Sequence, residues 1–193
     1  MTPLPTVPGG FKAIVADPPW HYEVWAEGSS RTASSKYNVM PTAEIAAIPV
    51  ADIAADDCAL FMWVTWPKLF DSLEVIKGWN FTYKTCGFCW IKADARQQEM
   101  FRNDIDPFVG MGYWTRANSE ACLLATRGKP KRLNADVRQG IIEPRREHSR
   151  KPDCIYERIE RLVEGPYLEL FARNTRPGWT SWGNEVGKYG EVA

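Results

Sequence analysis

F-K-A-I-V-A-D-P-P-W, residues 11–20, changes character at its midpoint. Phe11 to Ala16 is apolar except for Lys12 and short enough to be a buried strand. Asp17-Pro18-Pro19 ends it, because proline has no N–H to give to a strand ladder. A carboxylate is left at the carboxyl end of a buried strand, where open α/β sheets hold their ligands. The two prolines stiffen the backbone, so the Asp17 carboxylate and the Pro18 carbonyl can be aimed at one point. Both are acceptors, and a flipped adenine offers an exocyclic amine with two protons. Trp20 adds an aromatic face, and stacking a base on such a face is worth about 1–3 kcal/mol. The plainer alternative is a strand terminator followed by a packed tryptophan.

Outward from this stretch, strands and helices alternate. Cys58–Thr65 reads as a second buried strand, and Trp66–Trp79 as a helix with apolar residues at Leu69, Leu73 and Ile76. Phe81–Lys92 and Glu120–Thr126 read as strands. Pro152 opens a helix with Ile155, Ile159 and Leu162 on one face, stopped by Gly165-Pro166. Tyr167–Ala172 and a short Gly178–Gly183 complete the set. His21–Tyr37 and Asp94–Gly112 read as loops, and Arg127–Lys151 as a long basic connection. The pattern predicts an α/β fold with a mostly parallel sheet and helices on both faces. One domain over residues 1–193 is expected, with 1–10 as a flexible N-terminal arm.

Composition narrows the function classes. No apolar run is long enough for a membrane span, and the Pro-rich start lacks the features of a signal peptide, so a cytoplasmic location is the expectation. Five cysteines are scattered, and with two histidines no tetrahedral metal set is complete, so no metal is expected. Cys86 and Cys89 read as structural thiols, on opposite faces of a strand if the alternation is regular. There is no G-x-G-x-x-G, P-loop, G-x-S-x-G or H-E-x-x-H. The chain is neutral overall, but residues 127–151 hold nine basic and three acidic residues. That stretch reads either as a phosphate-binding segment or as a solvated loop.

A series of further motifs accompanies D-P-P-W. They are Y-N-V-M at 37–40, L-F-M-W-V-T at 60–65, G-Y-W-T-R-A-N-S-E at 112–120, S-R-K-P-D at 149–153, I-Y-E-R-I-E-R-L at 155–162, L-E-L-F-A-R at 168–173 and W-G-N-E at 182–185. In order and spacing the chain resembles the MT-A70 family of N6-adenine methyltransferases from about Phe11 to Asn184. The resemblance implies a Rossmann-like fold in permuted motif order, with S-adenosylmethionine as cofactor. It implies that Asp17, Pro18, Pro19 and Trp20 form the amine-holding site. Tyr37, Trp114, Glu120 and Lys151 would border the substrate. Asp17, Lys151, Phe171, Arg173, Asn184 and Glu185 would border the cofactor.

The chain departs from the family pattern in several places, two of them near the expected cofactor site. Glu185 stands where the family often has Gln, and the loop after Arg173 is short. The expected reaction is direct methyl transfer to the amine of an adenine taken out of the stack, in DNA. An RNA adenosine methyltransferase, a catalytically silent nucleic-acid-binding partner and a small-molecule methyltransferase are the alternatives. A homodimer or a related second subunit is a further expectation of the resemblance.

Overall fold

The computed structural model describes residues 2–22, 39–93, 110, 114–146 and 150–187. Most of the two expected loops, and Tyr37 with them, lie outside the described residues. The strands are β1 Phe11–Ala16, β2 Ala54–Val64, β3 Thr82–Ala93, β4 Ser119–Arg127, β5 Gly140–Pro144, β6 Tyr167–Leu170 and β7 Trp179–Trp182. The helices are α1 Thr42–Ala46, α2 Leu69–Gly78 and α3 Cys154–Leu162. All seven strands form one sheet in the order β5-β3-β4-β2-β1-β6-β7. Of these, β4 alone runs against its neighbours, and the other pairings are parallel. The expected α/β, mostly parallel sheet is found.

Strand alternation divides the core. On one face Ile14, Ala16, Leu60 and Met62 pack with Ile45 of α1 and Val75 and Ile76 of α2. On the other, Ala13, Val15, Phe61 and Trp63 pack with Ile155 and Ile159 of α3. The helices thus cover both faces. Ile155 and Ile159 are fully buried, and burying each contributes roughly 1.5–3 kcal/mol.

The sheet also fixes where a ligand can sit. β1 is flanked by β2 on one side and β6 on the other, so the chain switches direction across the sheet at β1. A crevice opens at the carboxyl end of such a strand. Asp17 stands there, directly after Ala16.

Three expectations are corrected. First, the basic connection is not strand-free: Gly140–Pro144 forms β5, parallel to β3 at the sheet edge. Its two isoleucines are split between a buried Ile141 and an exposed Ile142, too short a pattern to stand out among arginines. Second, residues 2–10 are not a loose arm. Leu4 and Val7 pack on the core, and the Trp182 indole N–H donates to the carbonyls of Thr2 and Pro3, each at 3.2 Å. Gly10, at φ 78°, passes so close to β2 that a Cβ there would lie 2.6 Å from the Ala55 nitrogen. Third, Cys86 and Cys89 share a face. A bulge at Gly87 inserts one residue, so Cys86 opposes Leu123 and Cys89 opposes Ala121, both on the α1/α2 side. All five thiols are free.

Candidate active site

The carboxyl ends of β1, β2, β3, β5 and β6 lie along one edge of the sheet, and antiparallel β4 begins at the same edge. The residues just past those ends converge. One cavity is lined by Asp17, Pro18, Pro19 and Trp20 after β1 and by Thr65 after β2. Lys92 on β3, Glu120 on β4, Arg145 and Arg146 after β5, and Lys151 before α3 close it. A second cavity continues from it over β6, sharing Asp17, Trp63, Arg150, Lys151 and Arg173 and adding Glu169, Phe171 and Asn174.

A run of alternating charges crosses the first cavity. Lys151 Nζ donates to Asp17 Oδ2 at 2.8 Å and lies 3.3 Å from Glu120 Oε2. Lys92 Nζ donates to Glu120 Oε1 at 2.5 Å. Burial works against the charge on Lys151, but Asp17 and then Glu120 outweigh it and hold the ammonium well above its ordinary range. Burial pushes the Glu120 carboxyl up, yet Lys151 and Lys92 together hold it below the ordinary range. Both groups are therefore charged at neutral pH. Lys151 also lies over the Trp63 ring, 5.6 Å from its centre.

The backbone around D-P-P-W is tightly held. The Trp20 N–H donates to the Pro18 carbonyl at 2.9 Å, and the Met40 N–H to the Pro19 carbonyl at 2.8 Å. One lone pair of the Pro18 carbonyl is thus in use and the second remains. Trp20 is only 4% exposed, and its indole N–H donates to the Trp63 carbonyl at 3.3 Å. Most of its ring belongs to the core, so the face it leaves for a base is small.

The second cavity has a different character. Glu169 accepts a hydrogen bond from the Tyr156 hydroxyl at 2.8 Å, and among the described residues no cation lies within ion-pair distance of it. Burial pushes its carboxyl up to about 7, against the Tyr156 hydrogen bond and the more distant Arg176. Asp153 nearby is held by Arg146, by Arg150 at 3.2 Å and by Arg176 at 3.1 Å. Buried polar atoms in the cavity walls, Trp63 Nε1 and Asn174 Oδ1 among them, have no hydrogen-bond partner among the described residues. Buried orphans of this kind mark places where a ligand can complete the bonding.

The other expected residues are placed as follows. Phe171, at φ 61°, borders the second cavity and meets Trp182 edge-on at 5.9 Å. Arg173 borders both cavities and pairs with Glu185 at 3.4 Å. Asn184 is exposed, and neither it nor Glu185 lines either cavity. Trp114 is 92% exposed and outside both. Lys92, Glu169, Asn174, Trp63 and Arg150 were not picked out as site residues from the sequence. Trp63 lies inside the quoted L-F-M-W-V-T, and Glu169 inside L-E-L-F-A-R, where a charge between leucines was the available signal.

The MT-A70 family profile matches residues 11–185. The chain belongs to the MT-A70 family. It is 33% identical over 195 residues to the Type II methyltransferase M.MunI of Mycoplasma sp., an alignment covering 91% of this chain and 78% of that protein. It is 31% identical over 209 residues to the human N(6)-adenine-specific methyltransferase METTL4, covering 100% of this chain but 41% of that protein. It is 29% identical over 184 residues to the human N(6)-adenosine-methyltransferase catalytic subunit METTL3, covering 92% of this chain and 28% of that protein. The two human relatives are thus far longer than this MT-A70 chain. All the motifs quoted for the resemblance fall inside the matched span. Among the described residues no helix is long and apolar enough to cross a membrane, and no cluster of acidic, histidine and cysteine side chains could hold a metal.

Proposed function

We propose that this MT-A70 protein transfers a methyl group from S-adenosylmethionine to the N6 amine of adenine in DNA. The observation that carries the reading is the state of Asp17. One carboxylate oxygen is bound to Lys151, while no partner contacts the other among the described residues. That second oxygen and the spare lone pair of the Pro18 carbonyl are two acceptors for the two protons of one amine. Held by both, the amine nitrogen is favoured as pyramidal, with its lone pair directed away from the ring. The lone pair would then be aimed at the methyl that the cofactor supplies, and the free Asp17 oxygen would stand ready to take the proton the amine gives up. The gain comes from positioning and from fixed charge, with no covalent enzyme intermediate.

The second cavity fits the cofactor chemically. When bound, S-adenosylmethionine supplies an electrophilic methyl on a sulfonium, beside an amino-acid end with one ammonium and one carboxylate. Arg150, Lys151 and Arg173 suit the carboxylate. Glu169, lacking a cation, and the orphaned Asn174 oxygen suit the ammonium. Arg145 and Arg146, at the mouth of the first cavity, suit flanking phosphates. DNA is favoured as the polymer because M.MunI, 78% of which aligns with this chain, is named a Type II methyltransferase. Such a protein would work in the cytoplasm, alone, as a homodimer or with a related subunit. The N(6)-adenosine-methyltransferase names among the relatives favour RNA as the second reading.

The test is transfer of labelled methyl to matched single- and double-stranded DNA and RNA, beside an Asp17→Ala control. N6-methyladenine in DNA that disappears in the control is the expected result. Label in RNA alone would keep the chemistry and overturn the polymer. No label in either, with cofactor binding intact, would make this chain a silent partner.

A further inference from the structure

We propose that Lys92 is a positioning residue: it neutralises Glu120 so that Lys151 is committed to Asp17. The proposal rests on the reading of Asp17 as the amine acceptor. Sheet register brings the pair together. Trp90 on β3 lies opposite Glu120 on β4, and Lys92 is two residues further along the same face. Diagonal neighbours of that kind are about 7–8 Å apart at the backbone, within reach of a lysine. The Lys92 backbone N–H donates to the Asn118 carbonyl at 2.8 Å, and its ammonium lies 5.1 Å over the Trp90 ring. The side chain is thus anchored at both ends.

The distances show how the charges are shared. Glu120 gives its shorter contact to Lys92, at 2.5 Å, and its longer one to Lys151, at 3.3 Å. Lys151 is closer to Asp17, at 2.8 Å. Asp17 and Glu120 are the acidic residues lining this cavity among the described residues. Facing them are Lys92 from β3, Lys151 before α3, Arg145 and Arg146 after β5, Arg150, and Arg173 after β6. Of these, the two lysines make direct ion pairs with Glu120. Without Lys92, one ammonium would have to serve two part-buried carboxylates. It would be drawn toward Glu120, and the Asp17 carboxylate would lose the partner that orients it. Two carboxylates sharing one cation also resist joint ionisation.

The experiment uses Lys92→Met and Lys92→Arg in the full chain, with two readouts. In the free protein, 13C-labelled glutamate gives the titration of Glu120, assigned by its loss in Glu120→Gln. Lys92→Met is expected to raise that midpoint by about one pH unit or more, and Lys92→Arg to restore it. In methyl transfer, the kcat of Lys92→Met should fall about tenfold at neutral pH, where the charged Glu120 draws Lys151 away from Asp17, with KM for the cofactor little changed. An unmoved Glu120 titration in Lys92→Met would overturn the proposal, as would a loss confined to KM. Should Lys92→Met not fold, Lys92→Gln carries the same test. A wild-type protein that transfers no methyl would overturn the functional reading, while the titration would still decide the role of Lys92.

Discussion

Asp17 and Glu169 are carboxylates at the same edge of one sheet, on or just after neighbouring parallel strands, yet their surroundings are opposite. Asp17 belongs to a chain in which two lysines answer two carboxylates. Glu169 faces a phenol and has no cation in contact among the described residues. The first region is electrostatically complete in the protein alone. The second leaves one carboxyl without an ion-pair partner among the described residues. The difference teaches that an acceptor for a neutral amine can be built with its charge already balanced. A seat for a cationic ligand is left unbalanced until the ligand arrives.

The first and largest way to break the comparison is Asp17→Ala. If the completed region holds the reacting amine, removing its acceptor should lower kcat by at least 100–1,000-fold, the cost of losing one fixed electrostatic partner of a reacting group. Some stability should be lost too, because the part-buried pair with Lys151 is broken, but less than when the lysine is removed, since Lys151 keeps Glu120. Single-turnover transfer beside urea unfolding separates the two. A variant that transfers at wild-type rate would move the chemistry elsewhere in the cavity.

Lys151→Met attacks the balance itself. Asp17 and Glu120 would keep their charges while losing the ammonium between them, with Glu120 retaining Lys92. Breaking a buried pair by removing one partner costs about 3–5 kcal/mol. The variant should unfold at a lower urea concentration and recover part of the loss in acid, as the stranded carboxylates take up protons. Lys151→Met with wild-type stability would mean that the chain of ion pairs is only loosely coupled.

How much of this was legible beforehand divides along the same line. β1, its abrupt end at Asp17, and the strands and helix that follow were readable because each is a local pattern of apolar spacing and proline. Lys151 was readable from its motif. The Lys92–Glu120 contact was not, because it depends on the register of two antiparallel strands 28 residues apart in sequence. The same register, shifted by the bulge at Gly87, put Cys86 and Cys89 on one face where simple alternation put them on two. β5 escaped for another reason: a five-residue edge strand with a single buried isoleucine carries almost no periodic signal. The packing of residues 2–10 rests on backbone carbonyls meeting Trp182, which no local pattern announces.

Glu169→Gln sharpens the other half of the comparison through pH. The carboxyl stands at about 7 in the folded protein, above its ordinary unfolded value. Between those two values the folded state holds a proton that the unfolded state has lost. Glu169 therefore contributes stability that is fully present below about pH 4 and is lost as pH rises through 7. Wild type should lose on the order of 2–3 kcal/mol from this group across that window. Glu169→Gln, which keeps an acceptor for Tyr156, should lose that part of the slope. Urea unfolding at pH 5 and 7.5 reads the difference. Binding of S-adenosylmethionine by wild type should in turn release protons near pH 7, and binding by the variant should not. Equal proton release from both would show that Glu169 does not meet the ligand's positive charge.

Trp114→Ala carries the smallest expected effect and asks whether either region extends to the rim. Trp114 is 92% exposed and lines neither cavity, whereas Trp20 has most of its ring in the core. If a base rests on an indole outside the cavities, Trp114, the most exposed of the described tryptophans, is a candidate. Losing one stacked base costs about 1–3 kcal/mol, so KM for nucleic acid should rise about fivefold or more. Cofactor binding and unfolding should stay within error, because an exposed side chain contributes little to the core. Tryptophan fluorescence that is quenched by single-stranded DNA in wild type, and less so in the variant, would place the polymer at this side chain. An unchanged KM with unchanged quenching would confine recognition to the cavity walls, and would leave the arginines after β5 as the contacts to the strand.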